Sequence, residues 1–449
     1  MSTFKTIENF VQKHIPTPFG IAVILTFLVM IWSIISMEGS IHSNAYKVLS
    51  FWEDGIWNNS LLVFAYQMML ILVLGHILVL SKPLQALLNL LTSSIDTTAK
   101  AVVIVSLSTM LMAFFNWGLG LIFGAILARK IGEAAQKHDF KINYPLIGAS
   151  GYIGLMVWHG GMSGSAPLKV AEKGHLASLL EESVPEYIST QATIFSTSNL
   201  LTFGVLLLAM PLLLYILSRN KEKESICTVD KNVPYEESYK ENGQKFENLK
   251  WPALVFGSII CISFFIQYSE SLKLLRLTPN MLNFLMLGLC FIFHGSFINF
   301  LNALKESVSD VSGILIQFPL YFGIMGIMKD SGLALNIAES FVNISTTQTL
   351  PIFTFMSAGL LNIFVPSGGG QWAIQGPIIL ESSTQLGVPL PKMIMAMAYG
   401  DQITNMLQPF WALPLLAITK LKAHQLLPYT FWMFLVGSLI FILSLIFIY

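Results

Sequence analysis

The sequence has little charge for its length. Only 11% of its 449 residues are Asp, Glu, Lys or Arg, whereas about a quarter is usual in soluble domains. Apolar residues make up 54% of the chain, and the formal net charge is zero. No basic excess suggests a nucleic-acid partner. The composition therefore predicts a polytopic membrane protein whose main surroundings are the lipid bilayer.

The sequence also lacks the motifs of several enzyme and pump classes. Its three cysteines form no CxxC pair, which argues against a disulfide framework and against a zinc site. No P-loop is present to hold ATP phosphates, and no HExxH or GxSxG sequence occurs. An ATP-driven pump and an intramembrane hydrolase are therefore disfavoured. We expect no cofactor beyond a coupling ion.

The clearest interruption of the apolar pattern is N-I-F-V-P-S-G-G-G-Q-W at residues 362–372. The apolar runs around it, Leu350–Phe364 and Ala373–Leu380, are each shorter than a full span. This pattern predicts a re-entrant hairpin over residues 350–380, in which a helix enters the membrane, breaks and leaves by the same face. Broken backbone at membrane depth is tolerated only where protein, water or a ligand satisfies it, so the tip predicts a binding site.

Three further interruptions have the same character. Asn116–Gly120, with the sequence N-W-G-L-G, predicts a second hairpin over residues 101–128. His159–Ser165 and Asp401–Gln408 each interrupt a longer apolar run, which predicts two broken helices. For the glycines at 368–370, tight helix packing is the alternative explanation. The expected fold is an all-α polytopic membrane protein with two re-entrant hairpins and two broken helices.

The remaining apolar runs have the length of complete spans. Counting the two broken helices, nine spans are expected: Phe19–Met37, Leu61–Leu80, Tyr144–Trp158 with its continuation, Ile194–Leu217, Trp251–Gln267, Asn280–Ile298, Val311–Met328, Pro391–Ile403 with its continuation, and Pro428–Ile448. Most of the 25 Lys and Arg residues then fall on one side if the amino terminus is cytoplasmic and the carboxy terminus periplasmic. Residues 1–18 are expected to form an interfacial helix or a flexible tail.

An internal repeat is indicated by the spacing of shared residues. Tyr152 and Pro167 are separated by the same interval as Tyr399 and Pro414, and each interval is preceded by a hairpin. The expected topology orients the two halves oppositely, which makes the repeat inverted; chance similarity between apolar runs is the alternative. The predicted division is a first repeat at 1–217, a cytoplasmic linker at 218–250, and an extra span followed by a second repeat at 251–449.

The candidate site combines both hairpin tips and both helix breaks. Helix amino termini present free N–H groups and partial positive charge, which suits an anion where no Lys or Arg lies inside a span. A Na⁺ site is expected near Asn116, Ser163 and Asn405. The candidate substrate-binding and ion-binding residues are Asn116, Trp117, Gly118, His159, Ser163, Ser165, Ser367, Gly368, Gly369, Gly370, Gln371, Asp401, Gln402, Asn405 and Gln408.

Two ionisable residues in this set need particular explanation. Asp401 is the only acidic residue inside a predicted span, and an intramembrane carboxylate usually marks function. It is expected to bind a proton or a cation, with a hydrogen-bonded structural acid as the alternative. His159 could bind substrate or a proton. Trp372 and Trp411 flank the breaks and could wall an apolar pocket, although ordinary packing explains them equally well.

The second-half motifs, F-V-P-S-G-G-G-Q-W-A-I-Q-G-P at 364–377 and A-Y-G-D-Q at 398–402, closely resemble the short-chain fatty acid transporter family. N-W-G-L-G at 116–120 and G-G-M-S-G-S at 160–165 resemble its first-half motifs. The resemblance implies a bacterial inner-membrane carrier for short monocarboxylates such as butyrate or acetoacetate. It also implies the wider ion-transporter superfamily, with dimers and elevator motion. Histidine often replaces Gln371 in the family, and glutamate replaces Asp401; the first departure puts a histidine-based role at that tip in doubt.

The leading hypothesis is secondary uptake of short-chain fatty acids coupled to H⁺ or Na⁺. A monocarboxylate needs one anion site and a small apolar wall, which helix termini and hydroxyl groups can provide without a fixed cation. A carrier of dicarboxylates or other small organic anions is the alternative within transport. An intramembrane enzyme and a passive channel are further alternatives, and the hairpins and the single buried acid favour a carrier over both.

Overall fold

The computed structural model describes residues 16–92, 95–179, 185–220, 224–226, 245–273, 278–308 and 311–449. The described part is helical, apart from an antiparallel pairing of β1 (Lys141–Ile142) with β2 (Ser225–Ile226). Its first-half helices are α1 (Pro18–Ser36), α2 (Ile41–Ile56), α3 (Asn59–Leu80), α4 (Lys82–Thr92), α5 (Thr98–Phe115), α6 (Trp117–Lys137), α7 (Tyr144–Tyr152), α8 (Ser165–Lys169), α9 (His175–Leu179) and α10 (Thr197–Ser218).

The later helices follow in a similar order. They are α11 (Lys245–Asn248), α12 (Lys250–Gln267), α13 (Ser269–Lys273), α14 (Pro279–His294), α15 (Phe297–Val308), α16 (Ser312–Asp330), α17 (Leu333–Asn343), α18 (Leu350–Phe364), α19 (Gly368–Leu386), α20 (Leu390–Thr404), α21 (Pro409–Thr419) and α22 (Ala423–Phe447). Short 3₁₀ turns extend α7 over Ile153–Met156 and α20 over Asn405–Leu407.

Polar side chains mark where many helices begin. Asn58 precedes α3, and its Oδ1 accepts a hydrogen bond from the Leu61 N–H at 3.2 Å. Thr97, Ser196 and Thr278 cap α5, α10 and α14 in the same way. Each of these oxygens satisfies a donor that the first helical turn leaves without a partner. The caps therefore fix helix starts that the apolar pattern alone would leave open.

Within the described ranges, seven helices are long and apolar enough to cross a membrane: α1, α3, α5, α10, α12, α16 and α22. With the two hairpins and the two interrupted helices, they confirm the predicted all-α polytopic class. The predicted interfacial helix lies largely outside the described residues, since the description begins at residue 16. Most of the predicted linker at 218–250 also lies outside them, so the division into repeats stays a prediction.

The order of elements occurs twice. Helix α3, hairpin α5–α6, interrupted helix α7–α8 and long helix α10 correspond to α16, hairpin α18–α19, interrupted helix α20–α21 and α22, while α12 is additional. The helix packing repeats in the same way. Helix α16 contacts α1 and α2, and its counterpart α3 contacts α14 and α15. Each half thus packs on a central helix of the other, as expected for a repeat. The opposite orientation of the halves in a membrane stays a prediction.

Several loops expected from the sequence are helical. Ile41–Ile56 and Leu333–Asn343 form amphipathic helices that the search for full spans missed, because they are short and carry charge. The predicted span Asn280–Ile298 was wrong at its end. The helix stops at His294, Gly295 takes a left-handed φ of 70°, and a new helix begins at Phe297. Glycine reaches that conformation without the steric cost of a Cβ.

Glycines allow each hairpin to lie directly on the interrupted helix of its own half. A Cβ on Gly124 of α6 would lie 2.2 Å from the carbonyl oxygen of Gly151 in α7. A Cβ on Gly400 of α20 would lie 2.1 Å from the carbonyl oxygen of Phe355 in α18. These distances are far inside van der Waals contact, so the close packing requires glycine. It brings the hairpin tips next to the helix breaks.

Candidate functional site

The first hairpin breaks at a single residue. Asn116 has extended backbone between α5 and α6, and its Oδ1 accepts a hydrogen bond from the Leu119 N–H at 3.0 Å. The Trp117 N–H donates to Ser163 Oγ at 3.0 Å, which joins this tip to the break after α7. The prediction of an unwound tip over Asn116–Gly120 was therefore too wide. Gly118 lies inside the first turn of α6 because Asn116 already caps the helix.

The second hairpin breaks at Val365–Ser367. Ser367 Oγ accepts a hydrogen bond from the Gly370 N–H at 3.2 Å, so α19 starts at Gly368. The predicted tip at Ser367–Gln371 was placed slightly too late, since its three glycines form the first helical turn. The N–H groups of Gly368 and Gly369 donate to no acceptor within the described ranges. Such groups are available to an anion at the start of a 19-residue helix.

His159 lies at the break that follows α7, as the sequence predicts. Its Nε2 accepts a hydrogen bond from the Ala166 N–H at 3.0 Å, which folds the break back on itself. The N–H groups of His159 and Gly160 both donate to Gln402 Oε1, at 2.8 and 3.0 Å. Gln402 belongs to the other half of the chain. One amide side chain thus holds the first-half break against α20.

His159 and Asp401 form a buried pair. His159 Nδ1 contacts Asp401 Oδ2, and the two side chains are 0% and 1% exposed. Asp401 Oδ1 is buried and has no hydrogen-bond partner among the described residues. Trp158 stacks on the imidazole with ring centroids 4.5 Å apart. A Cβ on Gly368 would lie 2.7 Å from His159 Cε1, so the second hairpin tip lies directly on the His159 ring.

A cavity of about 80 Å³ lies where these elements meet. Its polar side consists of the hydroxyl groups of Ser165 and Ser367 and the backbone of Gly368 and Gly369. Its other side is apolar and mostly aromatic. The full set of lining residues is Phe64, Trp117, Leu155, Trp158, Ser165, Ser367, Gly368, Gly369 and Trp411. The cavity therefore offers hydrogen-bond donors at one end and an aromatic wall at the other.

The aromatic wall is built from separate elements of the fold. Phe64 comes from α3, Trp117 from the start of α6 and Trp411 from the start of α21. The Trp117 and Trp411 ring centroids are 5.1 Å apart, and Phe64 lies 6.0 Å from Trp411 in an edge-to-face arrangement. Aromatic pairs at these separations pack favourably. This wall has a fixed shape because each ring supports the next.

A second polar cluster lies on the other side of Asp401. Asn362 Nδ2 contacts the Asp401 carbonyl oxygen at 2.6 Å, Asn405 Oδ1 at 2.9 Å and Thr404 Oγ1 at 3.0 Å. Gln408 Nε2 donates to the Asn362 carbonyl oxygen at 2.7 Å. The predicted break at Asp401–Gln408 was too early at its start, because helix α20 continues to Thr404. Asp401 therefore lies in the last turn of a helix, between the two clusters.

Some predicted site residues lie away from the cavity. Gln371 Nε2 donates to the Ala358 carbonyl oxygen at 2.8 Å, and its side chain packs inside the second hairpin. Trp372 does not wall the cavity; its Nε1 donates to His175 Nε2 at 3.0 Å. The residues that line the cavity or contact the His159–Asp401 pair are Trp117, Ser165, Ser367, Gly368, Gly369, Asp401 and Gln402. Asn116, Gly118 and Ser163 lie at the start of α6, Gly370 lines a separate cavity, and Asn405 and Gln408 belong to the second polar cluster.

The three residues expected to bind Na⁺ are divided between two places. Asn116 and Ser163 hold the start of α6, whereas Asn405 Oδ1 accepts from Asn362 in the second polar cluster. Asn405 Nδ2 donates to the Leu155 carbonyl oxygen at 3.3 Å. Sequence reasoning missed Asn362 as a site residue, although it holds the hairpin position that corresponds to Asn116. It also missed Phe64 and Leu155, because nothing in the apolar sequence around them distinguishes them from other residues of a span.

Comparisons with known proteins agree over nearly the whole length. Residues 1–448 match the family described as short chain fatty acid transporter. A protein of Escherichia coli (strain K12) is 33% identical over 99% of this chain and 98% of its own length. One from Haemophilus influenzae (strain ATCC 51907 / DSM 11121 / KW20 / Rd) is 34% identical over 100% and 99%. Both carry the name "Putative short-chain fatty acid transporter".

A comparison with solved structures gives a more distant likeness. The crystal structure of the YdaH transporter from Alcanivorax borkumensis, described as having an unusual topology, is 13% identical. The similarity covers 95% of this chain and 97% of that one, with a TM-score of 0.40.

Proposed function

Because the chain belongs to the short-chain fatty acid transporter family, we propose that it takes up short monocarboxylates such as butyrate or acetoacetate by secondary active transport. The coupling ion is H⁺ or Na⁺. The observation that carries this proposal is the cavity between the second hairpin tip and the first-half break. It combines unpaired N–H groups and hydroxyl groups with an aromatic wall.

The polar end of the cavity suits a carboxylate. The N–H groups of Gly368 and Gly369 open a long helix, whose dipole favours negative charge at this end. Ser165 and Ser367 add hydroxyl groups that can donate to the same anion. These donors would bind the anion in place of the Arg or Lys side chain that many anion sites use. The acyl chain of the substrate then lies against Phe64 and Trp411.

The size of the cavity favours a small substrate. Its volume of about 80 Å³ compares with roughly 10–15 Å³ of such space for one water molecule. That leaves room for a few heavy atoms and excludes a long acyl chain. The alternative, a dicarboxylate, would place a second carboxylate against the aromatic wall. No charged residue lines the cavity in the described part of the chain, so nothing there would compensate that charge.

The fold supports alternating access around this cavity. Most lining residues belong to the hairpins and interrupted helices, whereas Phe64 belongs to α3, which packs on α14 and α15. We propose an elevator-type motion, in which the hairpins and interrupted helices move relative to α3 and α16. We further propose a homodimer in the bacterial inner membrane, with a cytoplasmic amino terminus and a periplasmic carboxy terminus. The chain is proposed to act without a cofactor and without enzymatic turnover.

Counterflow in proteoliposomes tests the substrate. Purified protein is reconstituted with unlabelled butyrate inside, and the entry of radiolabelled butyrate is followed at pH 7.5. Protein-free liposomes are the control, because butyric acid crosses lipid unaided. We expect saturable counterflow above that control, inhibited by propionate and acetoacetate and little by succinate. Counterflow no faster than in protein-free liposomes would contradict the proposal, and inhibition by succinate alone would favour the dicarboxylate alternative.

A further inference from the structure

We propose that Asp401 carries the coupled proton, and that His159 is a positioning residue which holds this carboxyl group. The inference rests on the proposed function, since it names the coupling ion of that transport. It assigns H⁺, and not Na⁺, as the coupling ion. Three features of the buried pair support it: the hydrogen bonds of the imidazole, the unpartnered oxygen of Asp401, and the position of the pair beside the cavity.

The hydrogen bonds of His159 fix its tautomer. The Ala166 N–H can only donate, so His159 Nε2 must accept with its lone pair and carries no proton. The imidazole proton is therefore on Nδ1, where it is donated to Asp401 Oδ2. A doubly protonated ring would place an N–H against the Ala166 N–H. The exchangeable proton of the pair consequently belongs to the aspartate.

The other oxygen of Asp401 is the site for that proton. Oδ1 is buried and has no partner among the described residues, which is costly for a fully ionised carboxylate. A proton on Oδ1 removes the charge while leaving the bond from His159 to Oδ2 in place.

The elements packed around α20 bring no other charge to this carboxyl group. Those elements are the first-half interrupted helix, the second hairpin and α22. Lys169 and Glu381 are exposed, and Lys169 pairs with Glu172. Tyr429 donates its hydroxyl to Asn143. The titratable groups on these elements and on α20 itself are Tyr144, Tyr152, His159, Lys169, Glu381, Lys392, Tyr399, His424 and Tyr429, and of these His159 contacts the Asp401 side chain.

The position of the pair links the proton to the substrate. Gly368 lies against the His159 ring and also lines the cavity, so the His159 ring lies between the anion site and Asp401. A monocarboxylate binds there more favourably when Asp401 is neutral, because two like charges then do not face each other. The loaded carrier holds one carboxylate and one neutral acid, while the empty carrier holds one ionised aspartate. Both forms have the same net charge, so transport is electroneutral.

The test measures butyrate exchange and proton movement in the same proteoliposomes. Sodium is omitted, an internal dye reports pH, and protein-free liposomes give the signal of passive butyric acid entry. The wild type is expected to acidify the interior with butyrate above that signal, unaffected by an imposed membrane potential. Asp401→Asn mimics the neutral acid and cannot release its proton, so the ratio of protein-dependent acidification to butyrate counterflow should fall at least tenfold.

A pair of His159 variants separates positioning from structure. His159→Asn keeps a donor where Nδ1 stands and loses the acceptor for Ala166, whereas His159→Gln does the reverse. We expect the proton-to-butyrate ratio of His159→Asn to stay near that of the wild type and the ratio of His159→Gln to fall. This comparison also decides the matter if Asp401→Asn is inactive. Equal or reversed ratios in the two variants would overturn the inference.

The outcomes for the two proposals differ. Wild-type protein that shows no counterflow removes the transport function, and the inference with it. Wild-type protein that exchanges butyrate, moves no protons and accumulates it only with Na⁺ overturns the proton site alone. Proton movement by Asp401→Asn at the wild-type level would also overturn the proton site alone. Counterflow without protein-dependent acidification in that variant, together with acidification by the wild type, supports the assignment.

Discussion

Replacing Gly368 by alanine is the sharpest test of how closely the second hairpin tip meets the first-half break. The new Cβ would lie 2.7 Å from His159 Cε1 and 2.8 Å from Trp158 Cη2. Neither ring can yield easily, because the two rings stack on each other with centroids 4.5 Å apart. The tip must therefore move away from His159 for the variant to fold. That movement displaces the N–H groups proposed to bind the substrate.

The size of the effect follows from the cost of overpacking. Inserting one carbon into a tight, rigid contact costs about 1–3 kcal/mol. If the cost falls on the closed, substrate-binding arrangement, butyrate affinity drops by roughly 5- to 150-fold, since about 1.4 kcal/mol is tenfold. Helix propensity works in the opposite direction, because alanine is favoured over glycine by about 1 kcal/mol within a helix. A loss of function would therefore come from the contact and not from weakening of α19.

The assay is the butyrate concentration that gives half-maximal counterflow. Gly370→Ala is the matched control, since it lies in the same helical turn and its new Cβ would meet side-chain atoms at 3.3 Å from Ser367 and 3.5 Å from Met325. We expect Gly370→Ala to change the half-maximal concentration by no more than about threefold, because contacts at 3.3 and 3.5 Å are relieved by a movement of a few tenths of an ångström. Wild-type affinity in Gly368→Ala, or an equal loss in both variants, would refute the reasoning.

Three further predictions test other parts of the site. Trp411→Leu removes part of the aromatic wall, so the affinity for hexanoate relative to butyrate should rise about tenfold at about 0.8 kcal/mol per buried CH₂, whereas the exposed Trp251→Leu should leave the ratio unchanged. Asn362→Ala removes the two N–H donors of an amide whose Nδ2 contacts three buried oxygens and should lower the unfolding free energy by about 2 kcal/mol, seen as a reduced Tm. Burial, with a smaller effect of Lys169, lowers the pKa of His175 below 6.5. Stability from its bond to Trp372 should be complete above pH 6.5 and should fall as the pH is lowered further, which a Tm series would show and His175→Gln should abolish.

The sequence was informative where a polar or helix-breaking residue interrupts a run of apolar residues. Both hairpins and both helix breaks were located, because Asn116, Pro366 and Asp401 each stand out in their surroundings. The exact tips were misplaced for one physical reason. Gly118 and Gly368 suggested unwound backbone, but an Asn or Ser cap just before them allows a helix to start there. The cap residues were visible in the sequence and would have corrected the boundaries.

The remaining errors have a different origin. Helix α2 is short and contains Glu53 and Asp54, so a search for apolar spans treats it as a loop. Its position depends on packing against α16, where Gly55 meets the Phe322 carbonyl oxygen, and such long-range contacts leave no local signal. The aromatic wall was missed for the same reason. Phe64 is one of 32 phenylalanines, and only the fold distinguishes it from those that face lipid.

Asp401 joins the parts of the site that the two halves provide separately. Its carboxyl group contacts His159 beside the cavity, and its carbonyl oxygen accepts from Asn362 in the second polar cluster. A change of charge at this residue therefore acts on both clusters at once. At an effective dielectric constant of about 20, two like charges about 4 Å apart repel by about 4 kcal/mol, and half of that is already roughly 30-fold in binding. Repulsion of that size is enough to couple proton binding on Asp401 to anion binding at Gly368 without any fixed cation in the cavity.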